Sequence, residues 1–408
     1  MRRTLFLSLT VVLGAPMLAC SSNGGTPASP TCMVTQHADG TGTVECSDGT
    51  TVNFGSGTDG QNGARGPVGE AGAPGAPGEA GPPGPPGEAG APSVAMDGGS
   101  GVSGTIQGDY IINNSIDVAV IANVTAITGA LLIQGSGLPS VSLPELASVQ
   151  SVVVTAPDLT TLSLPALTTI TQSLTLSQGA SAPAGPQLVD LGGFSALTSL
   201  GGLVLQSAPA LAHLTGLSSL TSLGNLEVTA GAPLLVNLSG LEAVTTLGEV
   251  NIQSVPLLAN VDALAAVANA AAGSTCEINI QNNPKLASLA GLSGFPGAPA
   301  GDFTVKGNAL VTLSLAGLAN VKGITVQEPA LTSLTFGGLK TVGTDGVKIT
   351  SDTKLTTLAI PELTTVTGQF DVSGNTALQE CLVDAILAHL TTVGGVFTGG
   401  NDGVNMCP

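Results

Sequence analysis

Leu310-Val311-Thr312-Leu313-Ser314-Leu315-Ala316-Gly317-Leu318-Ala319-Asn320-Val321 is followed by Leu331-Thr332-Ser333-Leu334-Thr335-Phe336-Gly337-Gly338-Leu339-Lys340-Thr341-Val342, and then by Leu355-Thr356-Thr357-Leu358-Ala359-Ile360-Pro361-Glu362-Leu363-Thr364-Thr365-Val366. The three segments superpose position by position as L-x-x-L-x-[LIF]-x-x-L-x-x-V. Leu313, Leu315, Leu318 and Val321 correspond to Leu334, Phe336, Leu339 and Val342, and then to Leu358, Ile360, Leu363 and Val366. A period of this length means one supersecondary unit repeated, and one unit alone leaves its apolar face uncovered. Stacked neighbours must therefore supply the core.

Working outward, each copy is introduced by a short apolar–polar–apolar strand. The pairs are Leu131/Ile133, Val152/Val154, Leu174/Leu176, Leu203/Leu205, Leu226/Val228, Val250/Ile252, Ile278/Ile280, Phe303/Val305, Ile324/Val326, Val347/Ile349 and Phe370/Val372. Alternation with period two marks half-buried strands. A turn follows, as in Asn282-Asn283-Pro284 or Ser373-Gly374-Asn375, because these residue types end regular structure. Glycines recur at Gly224, Gly248, Gly323, Gly343 and Gly368, where a tight turn closing each coil is expected. The reading is all-β: a right-handed parallel β-solenoid of about 12 coils stacked at about 4.8 Å. Little helix is expected, since Thr, Val, Ser and Gly dominate the repeats. Leu378, Leu382, Ile386 and Leu390 break the pattern with helical spacing, predicting a C-terminal helix that caps the open last coil.

Upstream of the repeats the chain changes character. Glycine occupies every third position from 57 to 90, twelve times in succession, with Pro and Ala common between. Only glycine fits the axis of a collagen triple helix, so the run reads as a collagen-like stalk of roughly 100 Å, at about 3 Å per residue. It serves either as a homotrimer through residues 57–92 or as a single-chain spacer; both readings stay open. Ahead of it, Met1-Arg2-Arg3, an apolar run over 5–18 and Ala19-Cys20 describe a secretory signal too short to span a bilayer.

Composition narrows the function. The 408 residues are 43% hydrophobic, enough for a large core, and carry nine Lys and Arg against 27 Asp and Glu, a net charge of −18. Such a surface repels nucleic acid. There is no Trp, one Tyr (Tyr110) and eight Phe, so a binding face must rely on Thr, Ser and Asn, on backbone edges, or on avidity. The cysteines suit an oxidising compartment. Cys32 and Cys46 bracket a hairpin with Asp39-Gly40 at its turn, and a bridge there would add roughly 3 kcal/mol. Cys381 with Cys407 would tie down the C-terminus, while Cys276, at strand parity with Ile278 and Ile280, reads as a buried apolar thiol.

No catalytic, cofactor or metal site is expected. His37, His213 and His389 do not converge, and no nucleophile elbow, phosphate loop or H-E-x-x-H occurs. Glu227 and Glu277 each lie between apolar residues, facing outward. They are expected to form at most a solvated acidic column, which makes a solenoid carbohydrate-active enzyme a remote reading.

Ala19-Cys20 resembles a bacterial lipobox, which implies lipidation at Cys20 and a cell-surface, outer-membrane location. The repeats resemble the receptor L domain, the leucine-rich β-solenoid of insulin- and epidermal-growth-factor-type receptors. That resemblance implies a surface recognising an extracellular protein or glycan, and carries over no ligand residue. The expected organisation is a signal peptide (1–19), a tether (20–31), a disulfide-stapled hairpin (32–56), the stalk (57–92), the solenoid (93–376) and a capping helix with tail (377–408). An adhesin or receptor-like module is the favoured function; an architectural envelope component is the alternative.

Overall fold

The structure is a computed structural model. It describes residues 102–179, 185–270, 275–297 and 300–403, together with the backbone of three strands near the N-terminus. The signal, Cys20, the tether, His37, the Gly-X-Y run and Cys407 lie outside the described residues.

The three N-terminal strands, Cys32–Gln36, Gly42–Cys46 and Thr51–Phe54, form an antiparallel meander. Its register pairs Cys32 with Cys46 and Gln36 with Gly42; Asp39-Gly40 lies outside the described residues. The third strand was not anticipated from the sequence.

From residue 102 the chain winds into a parallel β-solenoid of about twelve coils. Thirteen strands follow one another in a single long sheet, from Ser103–Ile106 to Thr392–Phe397. The paired apolar residues named above stack in register at every step. Leu131 pairs with Val152, Val152 with Leu174, Leu174 with Leu203, and so on to Val347 with Phe370. All of these residues are buried. The second pattern begins on the opposite wall and ends on the long sheet: Leu313, Leu334 and Leu358 stack in a short sheet of their own, while Val321, Val342 and Val366 stack at the start of the next long-sheet strands. Phe303 and Phe336 meet across the core edge to face, with ring centroids 5.6 Å apart at 86°.

The second wall takes two forms, and spacing decides between them. Where the repeat reads L-x-L, period two makes strands: Thr312–Leu315, Ser333–Phe336 and Thr357–Ala359 form one short parallel sheet, and Ser140–Ser142 with Thr161–Ser163 another. Where it reads L-x-G-L or V-D-A-L, as at Leu214-Thr215-Gly216-Leu217 or Val261-Asp262-Ala263-Leu264, the next inward residue comes three positions on. The chain then makes turns or 3₁₀ helix instead, as at Asp262–Leu264 and Ala290–Leu292.

The recurring glycines do not close turns. Gly224, Gly248, Gly323, Gly343 and Gly368 lie inside long-sheet strands, and none has a positive φ. Gly224, Gly248 and Gly368 are needed for close stacking. A Cβ on Gly224 would lie 2.2 Å from the Gly201 carbonyl oxygen, and one on Gly248 would lie 2.1 Å from that of Gly224. Backbone cannot yield as a side-chain tip can, so this column admits only glycine.

Two α-helices occur among the described residues, α1 (Ser115–Val120) and α2 (Glu380–His389). Asn114 and Asp117 form a reciprocal capping box at the start of α1. The C-terminal helix is present at the last coil: α2 packs beside Thr357–Ala359, the end strand of the short sheet, while a further strand, Thr392–Phe397, ends the long sheet. Its buried residues are Val383 and Ile386; Leu378 is buried just before the helix begins, and Leu382 and Leu390 are partly covered. Cys381 sits in its first turn.

A polar seam runs through the C-terminal half. Asn283, Asn308, Glu328, Asp352, Asn375 and Asn401 are all buried and follow successive strands of the long sheet. Each side chain accepts a backbone N–H from the coil before. Asn283 takes that of Val255, Asn308 that of Asn283, Glu328 that of Asn308, Asp352 that of Glu328, Asn375 that of Asp352 and Asn401 that of Asn375. The amides also donate to the preceding strand's carbonyl: Asn283 to Ile252 (3.1 Å), Asn308 to Ile280 (3.0 Å), Asn375 to Ile349 (2.9 Å) and Asn401 to Val372 (2.6 Å). In the earlier coils Ala156, Ala208, Ala232 and Val255 fill the equivalent buried place.

Candidate functional site

Every second residue of each long-sheet strand must face outward, so stacking in register turns isolated polar residues into columns. One column runs through the central position of each strand. It is apolar at Leu132 and Val153, neutral polar over Asn251, Asn279, Thr304 and Thr325, and charged at Lys348 and Asp371. Two residues along, Gln253, Gln281, Lys306 and Gln327 form a parallel column. Neighbouring columns lock each other: the Gln253 amide donates to Asn251 Oδ1 at 2.7 Å, and that of Gln281 to Asn279 Oδ1 at 2.5 Å. From Asn251 to Thr325 and from Gln253 to Lys306 the two columns are half-buried, Gln327 is exposed, and the amide pairs at Asn251/Gln253 and Asn279/Gln281 hold each other in place.

The acidic residues stack otherwise than expected. Glu227 pairs with Asn251 in the central column, whereas Glu277 lies one column over. Asn225 pairs with Glu249 there, and Glu277 and Asp302 continue the line, each preceding an inward residue of its strand. Burial, reinforced by Glu277 and Glu227, holds the Glu249 carboxyl above its ordinary pKa. The line ends at Lys322, whose ammonium lies 2.7 Å from Asp345 and 3.9 Å from Asp302.

His213 is exposed among neutral residues, and His389 is exposed at the end of α2, beside an apolar groove of about 180 Å³ with Ile360 and Ile386. The structure brings neither to a carboxylate cluster. Among the described residues no three His, Cys, Asp or Glu side chains are grouped to hold a metal ion. Cys276 is buried in the core as its strand parity predicted. A surface notch of about 390 Å³ opens where the first short sheet ends, lined by Thr160, Ser163, Val189, Asp190 and Gly193. No helix among the described residues is long and apolar enough to cross a membrane. Comparison of the chain with protein families, with curated proteins and with solved structures finds no match.

Proposed function

We propose that the chain is a surface-displayed recognition module of the receptor L-domain type. A lipid on Cys20 holds it at the cell surface, and residues 57–92 carry the solenoid outward, three chains together forming a trivalent stalk. Bridges joining Cys32 to Cys46 and Cys381 to Cys407 tie down the ends. The observation that carries the reading is the ordered outward face of Asn251, Asn279, Thr304 and Thr325 beside Gln253, Gln281 and Gln327. The amide pairs Asn251/Gln253 and Asn279/Gln281, already bonded to each other, would lose little side-chain entropy on binding. Without aromatic anchors the affinity of one face is modest, and a trimer raises it by avidity.

The test measures binding of the full chain to immobilised extracellular-matrix proteins and glycans, beside the triple substitution Asn251→Arg, Asn279→Arg, Thr304→Arg. Saturable binding that the substitutions abolish, at unchanged circular dichroism, is the expected result. Binding that the triple variant retains in full would refute recognition by this face. Mass in solution below and above the stalk's melting temperature checks the trimer.

A further inference from the structure

Two acids lie side by side in the buried seam, where every other member is an amide. Asp352 Oδ1 accepts the Glu328 N–H, and the Asp352 N–H donates to Asn375 Oδ1 at 2.9 Å. Asp352 is fully buried, yet its Oδ2 has no hydrogen-bond partner. At the corresponding place Asn283, Asn308, Asn375 and Asn401 all carry an Nδ2 that donates to the preceding strand's carbonyl. By the same offset the carbonyl facing position 352 is that of Val326. A carboxylate would oppose acceptor to acceptor there; a carboxylic acid O–H would do what the amide N–H does elsewhere. Glu328 needs no such proton. Its two oxygens accept the Asn308 N–H at 2.9 and 3.1 Å and the Asn308 amide at 2.7 Å.

We propose that Glu328 and Asp352 together hold one proton, carried on Asp352, and that this proton latches the coil of strand Asn320–Gln327 to that of strand Thr341–Thr350. While the proton is present the seam is continuous. When it leaves to solvent, two adjacent buried carboxylates remain, and the solenoid loosens at this rung.

The surroundings supply no counter-charge. Lys348, on the strand preceding Asp352, and Lys354, two residues after it, are exposed. Lys306, in the coil of Asn308, is half-buried and faces outward in the glutamine column. Asp371, on the next strand, accepts the Ser373 hydroxyl at 2.5 Å, and the ion pairs among the described residues all belong to Lys322. Accordingly burial, with the Glu328 charge adding to it and the Glu328 N–H opposing it, pushes the Asp352 carboxyl up to about 7, and burial also raises Glu328 against its three hydrogen bonds.

The sign follows by linkage. An acid whose pKa is raised by folding favours the folded state fully below the unfolded value of 3.8, and that contribution is lost as pH rises through about 7. The full span corresponds to about a thousandfold in the folding equilibrium constant. The test is urea unfolding of the full chain from pH 5 to pH 8, for the wild type, Asp352→Asn and Glu328→Gln, with infrared spectra for the C=O band of a protonated carboxyl. The wild type is expected to lose stability across this range. Asp352→Asn, completing the amide seam, is expected to be flatter with pH and to lack the acid band, and Glu328→Gln to shift the transition to lower pH. Glu249 is common to all three and cancels in the comparison. Equal pH slopes in the wild type and Asp352→Asn, or no acid band in the wild type at pH 6, would overturn the proposal. The infrared arm needs no variant to fold.

Discussion

Replacing Asn308 by Ala tests whether the buried seam holds coils together or merely accompanies their packing. The Asn308 side chain accepts the Asn283 N–H at 3.1 Å and the Asn283 amide at 2.9 Å. It also donates to the carbonyls of Ile280 at 3.0 Å and Lys306 at 3.1 Å, and to Glu328 at 2.7 Å. After truncation the Asn283 amide still reaches Ile252, and the backbone N–H of residue 308 still reaches Glu328. Two buried groups are left short, the Asn283 N–H and the Ile280 carbonyl. At about 1–3 kcal/mol for each orphan the loss is about 4 kcal/mol, against about 1 for an ordinary exposed hydrogen bond. That corresponds to a fall in Tm of roughly 6 °C for a unit of about 300 residues. Urea unfolding by circular dichroism measures the loss, and amide hydrogen exchange at Asn283 reports it locally. A loss below about 1 kcal/mol, with unchanged exchange at Asn283, would refute the structural role of the seam. Asn308→Asp is the companion variant. It keeps the acceptor and places a second acid against Glu328, so its destabilisation should be greater at pH 8 than at pH 5.

Gly224→Val should destabilise by about 3 kcal/mol or more, because its Cβ meets a backbone oxygen at 2.2 Å; a cost under 1 kcal/mol in urea unfolding would contradict the close-stacking account. Phe336→Ala removes a fully buried ring packed on Phe303 and should cost about 3–5 kcal/mol by the same assay. His213→Ala, at an exposed column position, should stay within about 0.5 kcal/mol of the wild type in stability. Peptide mapping without reduction should recover Cys32 joined to Cys46 and Cys381 to Cys407; any other pairing defeats that assignment.

The long sheet could be read from the sequence because its signal is simple. Two apolar residues at parity, eleven times over, fixed both the strand and its register, and each step between neighbouring strands pairs the residues expected. What failed was whatever depends on the distance between neighbouring backbones. The glycines were assigned to turns because glycine is common there; the cause at Gly224, a carbonyl 2.2 Å from an added Cβ, lies in the adjacent coil. Asn283 and Asn375 were visible as turn residues, yet nothing local distinguishes an exposed turn asparagine from one inserted into the core. The signal was available in the offset: asparagine, or an acid, recurs two or three positions after the second apolar residue in consecutive coils. Glu277 was matched with Glu227 by flanking residues alone, and only the register separates their columns. The helix was found, but the strand Thr392–Phe397 that follows it was not, since Gly394-Gly395 interrupts its alternation.

The seam also divides the solenoid into two kinds of material. Before Asn283, Ala156, Ala208, Ala232 and Val255 hold the equivalent buried place, and their side chains make no hydrogen bond to the neighbouring coil. From Asn283 onward each coil both gives and receives a hydrogen bond at that place, so a coil without the polar residue would break the line on both sides. A coil in the first half therefore needs no polar partner at that place, though its backbone is still constrained by the glycine column through Gly201, Gly224 and Gly248. In the second half an inserted coil would have to bring its own polar residue to the seam, so the hydrogen-bonded line sets the order of the coils there.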